Sequence, residues 1–205
     1  KNMRQTSKGC RIAKGKLMED FLIDTILKYT PPNPVVAALI LLLLYALKSV
    51  SVFFPILVLE VAVGHLFPTG TALFINFAGV LICHTIPYWI GYSYADTVLE
   101  KLKKCYPKFA NVLDEQLSNP FFSAFLFRSI HILPGDIISL YFGATHIPYF
   151  HYIIGGMFGT LPGVVLATLL GTSISDPTSP LFLVSVISMV VLTRISFLIN
   201  YLYKR

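Results

Sequence analysis

The sequence predicts an all-α polytopic membrane protein. It is expected to contain two inverted repeats, each a broken re-entrant helical segment plus a transmembrane helix, flanked by additional transmembrane helices. Three observations predict this. Of 205 residues, 55% are apolar and 13% charged, with a mean hydropathy of +0.72, a balance that does not suit a water-soluble domain of this size. Residues 121–171 are almost wholly apolar, yet they carry Arg128, His131 and Asp136 and are interrupted at Pro134-Gly135, Pro148 and Pro162-Gly163. Intramembrane charges cost a few kcal/mol or more unless they face a cavity or a partner, and loose backbone at membrane depth must be enclosed by protein. The third observation is that the proline and glycine punctuation of the first half recurs in the second.

Charge placement supports the same class. The net charge is +6, and 13 of the 16 basic residues fall in three places. These are the first 28 residues, Lys101 to Lys108 and Lys204-Arg205, as a positive-inside pattern requires. Nucleic-acid binding is therefore not expected. Cys10, Cys83 and Cys105 lie far apart without metal or redox spacing, so no metal or cofactor is expected and the cysteines read as background thiols. The first apolar run begins too late for a cleavable signal peptide.

In chain order, residues 1–30 read as a cytoplasmic basic tail followed by an amphipathic interfacial helix. In that helix Leu17, Phe21, Leu22, Ile26 and Leu27 recur at helical spacing. Residues 31–205 form a single transmembrane domain. Its first crossing is expected over Val35 to Phe54, about 30 Å at 1.5 Å per residue, with Lys48 near its outer end, snorkelling or facing inward. Pro55 to Pro68 is short and apolar with Glu60 in its middle. Thr69 to Tyr94 is a second crossing, softened by Gly79, Pro87 and Gly91. Ala95 to Asn119 is a polar cytoplasmic connecting helix, and Pro120 to Ile147 is the broken re-entrant segment. Pro148 to Thr172 is a glycine-rich crossing whose glycines permit close helix approach. Leu181 to Tyr203 is the last crossing.

The repeats span about 55–96 and 134–176. Pro55 and Gly64 are nine residues apart, as are Pro134 and Gly143. Gly79, Gly91 and Asp96 follow Pro68 at offsets of 11, 23 and 28, and Gly159, Gly171 and Asp176 follow Pro148 at the same offsets. His65 matches His146, and Lys48 falls one position from the place equivalent to Arg128. Charge placement starts the first unit outside and the second inside. Opposed repeats with matching broken segments characterise transporters and put the substrate site where those segments meet.

Arg128, Pro134-Gly135-Asp136, Gly143, Pro148, Tyr152, Gly159, Pro162 and Gly171 together resemble the signature of the DedA/VTT-domain (SNARE-associated) membrane proteins, and within that family the branch found in Gram-positive bacteria. The resemblance covers roughly residues 35 to 175. It implies a polytopic membrane protein that moves lipids, with polyprenyl phosphate or phospholipid as cargo. Many relatives carry an acidic residue in the region of Glu60, with which Glu60 does not align cleanly.

Arg128 is the first candidate site residue, because a guanidinium offers a planar fork to phosphate or carboxylate. The alternative is that it only neutralises Asp136 or Glu60. Gly135 and Ser139 accompany Arg128 in the expected substrate site. Asp136 either caps the half-helix after the break or titrates in a proton path, for which Glu60 is the second candidate. Glu60 could instead lie near the outer water boundary. His131, Lys48 and His146 are expected around these groups, each histidine with packing as its alternative. The expected mechanism is a proton-linked exchange in which protonation of a carboxylate frees Arg128 for an anionic headgroup. The sequence shows no GxSxG, HExxH or phosphatase-like cluster, so an enzyme is not expected. The alternatives are a membrane assembly factor and an intramembrane lipid-phosphate hydrolase using His131 with Asp136. The expected partners are membrane lipids, an anionic lipid substrate and a second copy of the chain in a homo-oligomer. The expected location is a bacterial plasma membrane, multi-pass, with both termini cytoplasmic.

Overall fold

The computed structural model describes residues 33–51, 54–105, 119–130, 134–174, 176 and 178–203. Among them the regular structure is helical: α1 (Pro34–Val50), α2 (Ile56–Leu66), α3 (Thr69–Ser93), α4 (Ala95–Cys105), α5 (Pro120–Ile130), α6 (Gly135–Ala144), α7 (Tyr149–Ser173) and α8 (Pro180–Tyr203). The expected basic tail, interfacial helix and His131 lie outside the described residues, as does the second part of the connecting helix.

Local chemistry sets the helix limits. Asn33 caps α1, its side chain accepting from Val35 N at 2.9 Å, and Pro34 takes the first turn, where its missing N–H is no loss. The first crossing is shorter than expected. It ends at Val50, Ser51 is extended, and the Ser-Val run before Pro55 favours extended backbone over helix. Prolines stand at the N-caps of α2, α3, α6 and α7. The end of α6 is a Schellman turn: Ile147 N donates to Phe142 O, His146 N donates to Gly143 O, and His146 adopts φ 54°.

α3 and α7 each have 25 residues and are long and apolar enough to cross a membrane. Both run helically through an internal proline, Pro87 and Pro162 respectively, so the expected softening of α3 does not interrupt it. α2 has 11 residues and α6 has 10, about 15 Å each at 1.5 Å per residue, half of a hydrocarbon core of about 30 Å.

The two short helices exchange sides. α2 packs chiefly on α7, and α6 chiefly on α3, while α1 lies on α3, α5 on α7, and α3 and α7 touch each other. α8 covers α7 and α5, and α4 rests on α6. Glycines allow the two short-on-long crossings. A side-chain carbon on Gly64 would strike the Thr168 carbonyl oxygen, and one on Gly171 would strike that of Val61. At the equivalent positions of the other half, Gly143 lies against the Tyr88 carbonyl and Gly91 against that of Leu140.

The interior is divided into two apolar clusters. One surrounds Tyr45, Leu59 and Val63, and the other surrounds Tyr88, Phe142 and Tyr152. Between them lie buried polar groups, including Lys48, Glu60, Asn76, His84, Arg128 and Asp136, while Leu39, Leu43 and Leu47 of α1, Phe74 of α3, Phe158 of α7 and Ile187 of α8 are exposed. Apolar residues outside and ionisable residues inside suit surroundings of lipid rather than water.

Candidate functional site

A cavity of about 320 Å³ opens among α1, α2, α3, α5, α6 and α7, and Lys48, Glu60, His84, Arg128, Gly135 and Asp136 are among its lining residues. Lys48, Glu60, Arg128 and Asp136 are between 4% and 9% exposed. Two cations and two carboxyl groups from four helices therefore converge on one cavity, although they are scattered through the sequence.

Lys48 takes the central ion pair. From the last turn of α1 its Nζ donates to Asp136 Oδ1 at 2.8 Å and to Oδ2 at 2.6 Å. Asp136 reaches this position because α6 restarts the helix at Gly135. Its carboxylate in the first turn also faces the positive end of the α6 dipole. Among the described residues the hydrogen bonds given for the Asp136 carboxylate come from Lys48. Lys48 faces inward and does not snorkel.

Arg128 is held differently from the expectation that a carboxylate restrains it. Its Nη2 donates to Ser139 Oγ at 2.5 Å and to Tyr152 OH at 3.0 Å, and Tyr152 OH donates to Ser139 Oγ at 2.8 Å. Ser139 closes the chain by donating to Gly135 O at 3.0 Å. Among the described residues the only ion pair is Lys48–Asp136. The guanidinium is thus positioned by neutral hydroxyls and keeps its charge for another anion. Gly135 makes room for it, since a side-chain carbon there would collide with Nη1. Arg128 Nε is buried with no hydrogen-bond partner among the described residues.

Glu60 is buried at the cavity wall. Its backbone carbonyl accepts from Asn76 Nδ2 at 3.0 Å. The same amide donates to Thr168 Oγ1 at 2.8 Å, and Asn76 Oδ1 accepts from Tyr45 OH at 2.8 Å. These bonds tie α2 to α1, α3 and α7 beside the carboxyl group.

The structure brings Arg128, Gly135, Ser139, Asp136, Glu60 and Lys48 together and leaves one expected neighbour out. His146 is exposed, lies beside Tyr92 with ring centroids 4.5 Å apart and the rings tilted by 54°, and follows the end of α6. Its left-handed conformation serves the turn and carries the ring away from the cavity. His84, which was not among the candidate residues, is 2% exposed and lines the cavity. The available signal was an ionisable side chain in the middle of an apolar crossing. Tyr152 was visible only as part of a family signature, and its role depends on contacts that no spacing shows. Among the described residues no group of three or more His, Cys, Asp or Glu is placed to hold a metal ion.

One family model, the VTT domain, matches residues 54–173, from just before α2 to the end of α7. The match includes Glu60, His84, Arg128 and Asp136 and excludes α1 with Lys48. No curated protein and no solved structure matches the chain.

Proposed function

The chain belongs to the VTT-domain family, and from that premise we propose that it is a multi-pass transporter that moves an anionic lipid across a bacterial plasma membrane. In this reading α2 and α6 are the re-entrant segments of an inverted repeat and the cavity between them receives the headgroup. One observation carries the reading: Arg128 lines the cavity, fixed by Ser139 and Tyr152 and bound to no carboxylate among the described residues. A preorganised cation of this kind matches phosphate, to which guanidinium binds through several parallel hydrogen bonds.

The expected proton-linked exchange is revised by the identity of the ion pair. Protonation of Asp136 releases Lys48 rather than Arg128. The freed ammonium then joins Arg128 as a second cation facing the headgroup. Proton and anion favour each other's binding, which by linkage is reciprocal, and the two travel in the same direction. Glu60, which Lys48 also influences electrostatically, is the second proton acceptor. No covalent bond breaks in this cycle, so the proposal is a carrier and not an enzyme.

The test is translocation of a short-chain fluorescent polyprenyl phosphate in proteoliposomes, with and without an imposed pH gradient and beside a phospholipid control. Movement that the gradient drives and Arg128→Gln abolishes supports a proton-coupled carrier. Equal movement of both lipids without a gradient means a scramblase. If a folded Arg128→Gln protein transports as well as wild type, the mechanism is wrong.

A further inference from the structure

The α7 residues that line the cavity are Thr160, Gly163 and Val164. On one side of them α5 crosses α7, with Gly155 and Gly159 against the carbonyl oxygens of Phe121 and Phe125. On the other side α2 crosses, with Gly171 against the carbonyl oxygen of Val61. Between the two crossings α7 is bare: among the described residues nothing lies within 4 Å of a side-chain carbon placed on Gly163. α2 packs on α7, α3 and α1, and α8 packs on α7 and α5, so α7 is the surface that α2 and α8 share. Leu57 of α2 and Met189 of α8 both line the cavity. Leu57 is also 42% exposed on the outer surface, which puts it at the mouth.

This mouth is apolar and lies deep. Apart from Glu60 and Thr160, the residues that α2, α7 and α8 give to the lining are Ile56, Leu57, Gly163, Val164 and Met189. α7 is long and apolar enough to cross a membrane, and Gly163 stands about 15 Å from its nearer end at 1.5 Å per residue. That is half of a hydrocarbon core of about 30 Å. Leu161 of α7 and Ile187 of α8 are 40% and 60% exposed, so the rim continues into the apolar outer surface. At that depth the surrounding medium is acyl chain rather than water. We propose that this opening is a lateral portal, through which a hydrocarbon chain of a membrane lipid passes between α2 and α8, over Gly163, into the cavity. The inference rests on the carrier reading and adds the route: the chain stays in the hydrocarbon while the headgroup is held inside. Gly163 keeps that route clear, because a large side chain there would stand in the opening.

The experiment uses phosphatidylglycerol carrying a photoreactive diazirine at mid-chain, in phosphatidylcholine proteoliposomes of the full chain. Adducts are mapped by mass spectrometry, and translocation of the same lipid is followed in parallel. Wild type should carry adducts on cavity-lining Thr160 and Val164 as well as on outward-facing Leu161 and Ile187. Gly163→Trp fills the opening and should lose the adducts on Thr160 and Val164, keep those on Leu161 and Ile187, and lose most translocation. Gly163→Leu, a smaller plug, should give an intermediate loss, and Gly163→Ala should match wild type in both readouts. Adducts confined to Leu161 and Ile187 in wild type overturn the inference. So do cavity adducts and wild-type flux retained in folded Gly163→Trp or Gly163→Leu. Cavity adducts that the plugging variants remove, without translocation by wild type, support the portal and defeat the carrier reading.

Discussion

Lys48 on α1 and Asp136 on α6 are 88 positions apart in the chain, and their charged atoms lie 2.6 Å apart inside the protein. The pair joins a helix outside the region matched by the family model to the first turn after the Pro134-Gly135 break. Removing either partner leaves the other buried and uncompensated, at a typical cost of about 3–5 kcal/mol. Lys48→Gln and Asp136→Asn should each lower the unfolding midpoint of the detergent-solubilised protein, and the double variant should recover most of the loss. Destabilisation by the double variant equal to the sum of the single effects would mean that the two groups are not coupled.

On the proposed proton-linked mechanism, Asp136→Asn should also separate transport from its driving force. A neutral amide cannot bind and release a proton at this position. Any residual lipid movement by this variant should therefore be insensitive to an imposed pH gradient, as flux measured with and without the gradient will show. A full gradient response would transfer the coupling role to Glu60.

Arg128→Lys keeps the charge and removes the guanidinium whose Nη2 donates to both Ser139 Oγ and Tyr152 OH. Loss of hydrogen bonds to a charged group costs about 1.5–3 kcal/mol, so transport should fall by roughly tenfold to a hundredfold with the fold retained. Tyr152→Phe removes one of the hydroxyls that position Arg128 and should give a smaller fall. Flux normalised to folded protein distinguishes the two.

Gly135→Ala tests the cradle around the guanidinium, because the new methyl group would meet Arg128 Nη1. It should impair lipid movement while shifting the unfolding midpoint little. Gly70→Ala, where nothing lies within 4 Å of the added carbon, should leave flux at the wild-type level.

Gly64→Ala and Gly143→Ala test the two helix crossings. In both the added carbon would meet backbone oxygen, from Thr168 or Tyr88, which cannot swing aside as a flexible side chain can. Overpacking of this kind typically costs about 1–3 kcal/mol. Both variants should unfold at lower temperature by comparable amounts, measured by thermal melting in detergent.

Much of the architecture was legible because proline and glycine act locally. Pro55, Pro68, Pro134 and Pro148 delimit the short helices wherever the rest of the chain goes, and Gly64, Gly91, Gly143 and Gly171 mark the crossings. The inward position of Arg128, Asp136 and Glu60 followed from the cost of charge in lipid. Pairing was not legible. Lys48 and Arg128 are both cations near a break, and only the packing of α1 against α3 and α6 against α3 decides which meets Asp136. His84 was not legible as a cavity residue, because only the packing of α3 against the other helices brings it to the cavity wall. The early end of α1 was missed because apolar content continues through Val52-Phe53-Phe54 after the helix itself has stopped.

The exchange of short helices also governs how the protein can be made. α2 finds its principal packing surface on α7, which begins at Tyr149 and leaves the ribosome long after α2 does. During that interval Glu60 is part of a short apolar segment whose principal neighbour is missing. α6 differs, because its main neighbour α3 precedes it and is ready when it emerges. Assembly is therefore asymmetric in time despite matching contacts in the two halves. The first half waits for the second, and truncation after α5 strands α2 without its seat on α7. Such a fragment leaves Glu60 on a helix that lacks its principal packing surface, so the burial of this carboxyl group in the first half depends on the second.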